Sequence, residues 1–249
     1  MSDHVTPGAA VEPGRAWWAR PERWAALVAC GFAGFAFAAV PLLTIGWFGP
    51  IQVAAGTVAL GGLLAWCAVD FSRAPVARCD PRWFWAGVLV LAVLSGGVNA
   101  ARSNEHALLN RDPGVYFTAA LQLSHHGSPT YRPDGGGFRG HGLKQAGPGL
   151  IPASGGRIGF QGLHLLPAFA AAAGWIAGPN ALARTPALLG GLFLVFVMAF
   201  ARRVVGSMWA LLGGATFAVM IPFVNGSRDF LSEMVMGPAI FAALWVLAD

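Results

Sequence analysis

Charge is what this chain has least of: 11% of its 249 residues are Asp, Glu, Lys or Arg, against about a quarter in an ordinary soluble domain. With 56% of the residues hydrophobic and a mean hydropathy of +0.59, too few charges remain to cover a water-soluble fold of this length. Lysine is almost missing, Lys144 being the single example. The net charge of +5 and pI near 9.9 come from arginines scattered between apolar blocks, and the lack of a basic patch excludes nucleic acid as a partner. Cysteine is scarce too. Cys30 and Cys67 fall inside apolar blocks and Cys79 in a short Arg-rich connection, which leaves no disulfide framework and no metal-type spacing. There is no phosphate-binding loop: "PDGGGFRGHG" is glycine-rich but has no Lys-Ser/Thr and no helix after it, and reads as a flexible loop near a substrate entry. The polar opening, residues 1–23, precedes an apolar run too long for a signal peptide and without a small-residue cleavage pattern, so that run is an anchor that stays. What remains is an all-α, polytopic transmembrane helical bundle.

Blocks 24–47, 51–69 and 83–101 each reach the roughly 20 apolar residues that a crossing needs, with no Asp, Glu, Lys or Arg inside them. Arg15, Arg20 and Arg23 precede the first block, Arg73, Arg78 and Arg82 lie between the second and third, and the connection "FGP" carries no charge. The positive-inside rule then makes residues 1–23 a cytoplasmic tail and sends the third span to the outside. Trp17, Trp18, Trp24, Trp47 and Trp83 fall at block edges, as an interfacial belt requires.

Residues 102–161 follow as a long, polar outer loop holding Lys144 and four of the six histidines, His106, His125, His126 and His141. Loops of this length in compact proteins are usually functional or disordered. The next run, 163–177, is short for a crossing, contains Pro167 and ends in "GPN", which predicts a juxtamembrane helix. On that reading 182–201 runs inward and leaves Arg202 and Arg203 in the cytoplasm, as the charge rule demands. Arg184 then stands at the outer head of its helix, as a snorkelling anchor or a contact for a lipid phosphate. A return span, 208–224, brings "NGSRDFLSE" (225–233) to the face of the long loop, and a further apolar helix starts at Met234 and is unfinished at Asp249. The expectation is six crossings within one domain, 24–249, forming the N-terminal half of a larger protein.

Within the loop, "RDPGVYFTAALQLSHHGS" (111–128) has Asp112 and Pro113 as a helix start and Gly127 as its stop. Thr118, Gln122 and His125 fall on one stripe and Tyr116, Ala120 and Leu123 on another, the pattern of a helix lying at a membrane surface. Capping alone would account for Asp112, and equally for Asp229 or Glu233 ahead of the last helix. His125 and His126 are adjacent and no i, i+4 histidine pair exists, so they read as solvated or headgroup-facing and not as zinc ligands.

This stretch resembles the first outer loop of the GT-C class of membrane glycosyltransferases, the protein mannosyltransferase and aminoarabinose transferase superfamily (family 39-like). There an acid starts a juxtamembrane helix, a Tyr follows four residues on, and a Gly ends it; Asp112, Tyr116 and Gly127 match in type and spacing. The run "LARTPALLGGLFLVFVMAFARRVVGSMWALLGGATFAVMIPFVNGSRDFLSE" resembles the family's next spans and the outer turn after them, so the likeness covers residues 100–249. Pro113 stands where the family often has a second acid, and three spans precede the loop where the family usually has one.

The resemblance implies transfer of a sugar from a polyprenyl-phosphate donor, held in membrane lipid, to an acceptor hydroxyl at the outer face. A hydroxyl is a poor nucleophile, which gives Asp112 the role of general base. The departing phosphate needs a cation, and Arg228, Tyr116, Lys144 and Arg139 are the substrate-binding candidates. Glu233, five residues after Arg228, is the second acid that the resemblance favours, with Asp229 the nearer alternative. Whether a divalent metal takes part is left open. Asp112 and the "SRDFLSE" turn are expected to share one outer-face cavity. The rival classes are a transporter subunit, which would keep ionisable groups at mid-membrane, and a non-catalytic or remnant membrane protein.

Overall fold

A computed structural model describes residues 21–71, 81–104, 112–132 and 149–247. Helices α1 (Pro21–Thr44), α2 (Pro50–Phe71) and α3 (Arg82–Ala101) coincide with the first three apolar blocks. In the loop region α4 (Asp112–His126) is followed by strands β1 (Thr130–Tyr131), β2 (Leu150–Ala153) and β3 (Arg157–Phe160), and then by α5 (Leu165–Ala177). The remaining helices are α6 (Pro179–Val205), α7 (Ser207–Val219), α8 (Ile221–Arg228) and α9 (Glu233–Leu247). Among the described residues, α1, α2, α3 and α6 are long and apolar enough to cross a bilayer, and α7 with α8 forms a fifth span if the bent pair is counted as one. The chain is a multi-pass, all-α membrane protein. Large side chains such as Ile51 and Trp66 stand 78% and 73% exposed on α2, which suits a surface bathed in hydrocarbon and not in water.

Contacts between helices order the chain from end to end. At one end Arg202, near the close of α6, lies 5.3 Å over the ring of Phe84, near the start of α3. At the other end, Asn104, just past α3, donates from its backbone N–H to the carbonyl of Arg228 at 3.1 Å. There Leu182 of α6 shares a buried cluster with Ala120 of α4, Leu166 of α5 and Phe230. Helix α3 therefore arrives, and α6 departs, at the end where α4, α5 and the turn after α8 sit. Helix α5, 13 residues long, is shorter than the helices long enough to span a bilayer.

Two features depart from the sequence reading. Residues 208–224 are not one straight return span, because α7 and α8 meet at 63°. Met220 between them is extended (φ −66°, ψ 134°), with Pro222 in the first turn of α8. A proline there lacks the N–H for the helical ladder and clashes with the carbonyl four residues back, so the helix breaks before it. The segment between α3 and α5 also contains an antiparallel sheet in the order β1-β3-β2. Its β2-β3 hairpin turns at Ser154-Gly155-Gly156, where both glycines have positive φ (68° and 70°), a backbone that residues with a Cβ rarely adopt. Phe160 packs with Val115 and Ala119, which seats the sheet on α4.

Small residues let the spans approach. On α3 and α6 a Cβ at Gly96 would lie 3.4 Å from the Ala187 carbonyl oxygen, and one at Gly191 would lie 3.1 Å from that of Ala92. Between α1 and α2 the approach is closer still, since a Cβ at Gly34 would collide with the backbone of Gly61 and sit 2.9 Å from the Thr57 carbonyl oxygen. Lipid tails are as apolar as leucine, so such seams hold by close packing and not by expulsion of water. Gly34→Ala is expected to cost about 1–3 kcal/mol, because backbone atoms cannot move aside as a side chain can. Gly31→Ala, whose Cβ would meet nothing within 4 Å, should stay within about 0.5 kcal/mol. Denaturant unfolding in detergent measures both.

Candidate functional site

Helix α4 carries the first acid. Asp112 is its first residue and is exposed; among the described residues its carboxylate makes no hydrogen bond, so no capping bond engages it. At the far end Gly127 adopts φ +62° and donates its N–H to the Leu123 carbonyl at 2.9 Å. A side chain there would run into the Phe48 carbonyl oxygen, so glycine is required twice over. The start and stop expected from Asp112-Pro113 and Gly127 are both present, to within the usual one-residue latitude of helix ends.

Four residues along, Tyr116 reaches across to the chain entering α5. Its hydroxyl accepts the Leu163 N–H at 3.5 Å, and its ring lies against Gly162 so closely that a Cβ there would be 2.6 Å from the hydroxyl oxygen. Gly162 has φ +102°, so both conformation and space exclude another residue. His164 follows, half-buried. Burial pulls its pKa below the ordinary histidine value, and a hydrogen bond to Gly162 opposes part of that pull. The sequence reading did not single out His164, because burial of a lone histidine leaves no trace in spacing.

The second group sits where α8 ends. Arg228 Nε donates to Asn99 Oδ1 at 2.9 Å, and Asn99 is 3% exposed. The next residue, Asp229, accepts from Asn104 Nδ2 at 2.8 Å. The residue after that, Phe230, is fully buried and meets the Phe117 ring edge to face at 5.3 Å. Phe117 lies on α4 within a turn and a half of Asp112. Three consecutive residues thus bind the α8-α9 turn to α3, to Asn104 just past it, and to the helix that carries Asp112. Glu233 opens α9, exposed, its carboxylate accepting from the Ser232 hydroxyl at 3.4 Å. Arg184 is exposed in the second turn of α6.

Lys144, Arg139, His106, His141 and the run "PDGGGFRGHG" lie outside the described residues. Two open cavities lie among the described residues, and neither is lined by Asp112, Arg228, Asp229 or Glu233. One, about 350 Å³, lies between α4 and the sheet, and the other, about 480 Å³, is an apolar groove between α3 and α6. Among the described residues no three His, Cys, Asp or Glu side chains gather where a metal ion could be held. Compared with family models, with curated proteins and with solved structures, the chain matches none.

The position of His164 has a pH consequence. With its folded pKa below the unfolded value of about 6.5, the unfolded chain binds the proton more readily, so stability falls as pH drops through the window below that value. Hydrogen exchange of α4 and α5 amides should show faster opening at pH 5.5 than at pH 7.5. His164→Gln should remove a measurable part of that difference; an unchanged difference would mean that the ring is not held neutral by its burial.

Proposed function

We propose that this protein is a membrane glycosyltransferase of the GT-C kind, moving a sugar from a polyprenyl-phosphate donor to an acceptor hydroxyl at the outer membrane face. The N-terminus is then cytoplasmic and the α4-sheet-α5 region external. The observation that carries the reading is the Phe117–Phe230 contact, which brings the helix of an acid that has no partner among the described residues against the turn of an arginine, as the motif likeness requires. The extra spans are compatible with it. Helix α2 packs chiefly on α1, so α1 and α2 form a hairpin beside the bundle, and α3 alone leads into the loop.

In this mechanism Asp112 takes the proton of the acceptor hydroxyl as its oxygen bonds to the anomeric carbon. The bond from that carbon to the donor phosphate breaks, and the phosphate leaves with the electron pair. Arg228, oriented through its Nε by Asn99, meets the phosphate with its remaining donors. Tyr116, four residues after Asp112 on the same helix, is the further substrate contact in this reading. Asp229 is held by Asn104, which leaves the exposed Glu233 as the second acid for the substrate side. No step is routed through a metal: Pro113 occupies the place of the family's second acid, and the described donors form no cluster.

Asp112→Asn keeps the shape and removes the basicity. Transfer of labelled sugar from a polyprenyl-phosphate donor, measured in membranes containing the protein, should fall by about 10²- to 10⁴-fold. Arg228→Gln should raise the KM for the donor more than it lowers kcat. Full activity in Asp112→Asn would leave the acid a structural residue and favour a non-catalytic role.

A further inference from the structure

The 350 Å³ cavity is lined by Thr118, Leu121, Gln122, His125, His126, Tyr131 and Phe160, and none of these was needed for the chemistry above. Thr118, Gln122 and His125 are the polar stripe of α4, and the sheet turns that stripe from a surface into a wall. Opposite it, the Tyr131 and Phe160 rings lie 5.6 Å apart at 31°, an aromatic side to the groove. Among the described residues, the side chains of Gln122, His125, His126 and Tyr131 make no hydrogen bond, so an amide, two imidazoles and a phenol face the groove with their capacity unspent. Such uncommitted polar groups around an aromatic surface are the makings of a ligand site.

The lining also says what the ligand is not. Among the described residues the lining contains no Arg, Lys, Asp or Glu, and the nearby Arg157 points its Nη2 to the Ser128 hydroxyl and the Thr130 carbonyl at 3.1 and 3.0 Å. A charged group placed here would lose hydration without a counter-charge from the lining itself. A purely apolar ligand would strand the amide and phenol. What satisfies both walls is a neutral polyhydroxylated molecule, whose hydroxyls bond to Gln122, His125 and Tyr131 while its C–H face lies on the aromatic pair. The volume is at the small end of ligand pockets, the scale of one or two sugar rings.

We propose that this groove binds a neutral saccharide, and that the saccharide belongs to the acceptor of the transfer; the second half rests on the transferase reading above. The acceptor would lie along α4, its reacting end toward Asp112 and its remainder beside His126.

The experiment is saturation-transfer NMR of the protein in nanodiscs with neutral mono- and disaccharides, alongside acceptor kinetics. Binding should be detected, and should weaken by about tenfold or more in Gln122→Ala and in Tyr131→Phe, the latter keeping the ring and removing only the hydroxyl. Absence of binding, or binding indifferent to both groove variants, overturns the groove. Zn²⁺ binding that is lost in a His125→Ala, His126→Ala double variant, with no saccharide response, overturns it in favour of a metal. Saccharide binding that behaves as expected in a protein with no transferase activity overturns the acceptor role and the reading it rests on, and supports the groove alone.

Discussion

The clasp between the end of α8 and the end of α3 is the interaction on which the half of this structure that holds α4 and α5 depends. A span broken at Met220 leaves α8 as eight residues, too short to be held by its own ladder. Asn99 by itself would be a buried amide costing about 1–3 kcal/mol. Each resolves the other's difficulty: Arg228 satisfies Asn99, and Asn99 fixes where α8 stops. Because Asp229 and Phe230 follow without a gap, the same stop places one bond on Asn104 and one ring on Phe117. The position of α4 relative to the bundle therefore follows from a side-chain pair one layer below it.

That dependence explains how a loop helix is anchored without crossing. Helix α4 is gripped from the bundle side by Phe230 and from the other end by Trp175 of α5, whose Nε1 donates to the Ser124 carbonyl at 2.9 Å. Trp175 in turn faces Phe48 in the α1-α2 connection, ring centroids 5.1 Å apart. On α1, Phe35 stacks with Phe169 of α5 at 4.1 Å. The hairpin that adds two spans ahead of α3 thus serves as a buttress to α5, and α4 leans on α5.

Much of the fold was legible in the sequence because lipid imposes coarse rules: apolar block length gave the long helices α1, α2, α3 and α6. Asp112, Pro113 and Gly127 marked α4 because caps act through adjacent backbone. The break in 208–224 was also written there, in Pro222, but an unbroken apolar run outweighed it. The β2-β3 hairpin had its sign as well, "SGG" between apolar residues, obscured by the glycines that crowd the whole loop. Neither the Asn99–Arg228 pair nor the burial of His164 could be read. Their partners lie 129 residues away in the first case, and depend on tertiary burial in the second.

The broken span is also where a transporter and an end-face enzyme part company. Transporters interrupt helices so that freed backbone groups can line a site near mid-membrane. Here one side of the interruption is filled by rings: Phe217 before it and Phe223 after it lie 4.9 Å apart, and both meet Phe193 of α6, at 5.4 and 6.0 Å. On its other side Val219, Met220 and Ile221 are exposed, so among the described residues the bend is bordered by apolar side chains. The bend instead changes the direction of the chain, so that a cation and an acid emerge beside α3 and under α4. Among the described residues the bonds of Arg228 and Asp229 gather at that end of α3, which is where the proposed transfer would bring a lipid-borne phosphate and an acceptor hydroxyl together.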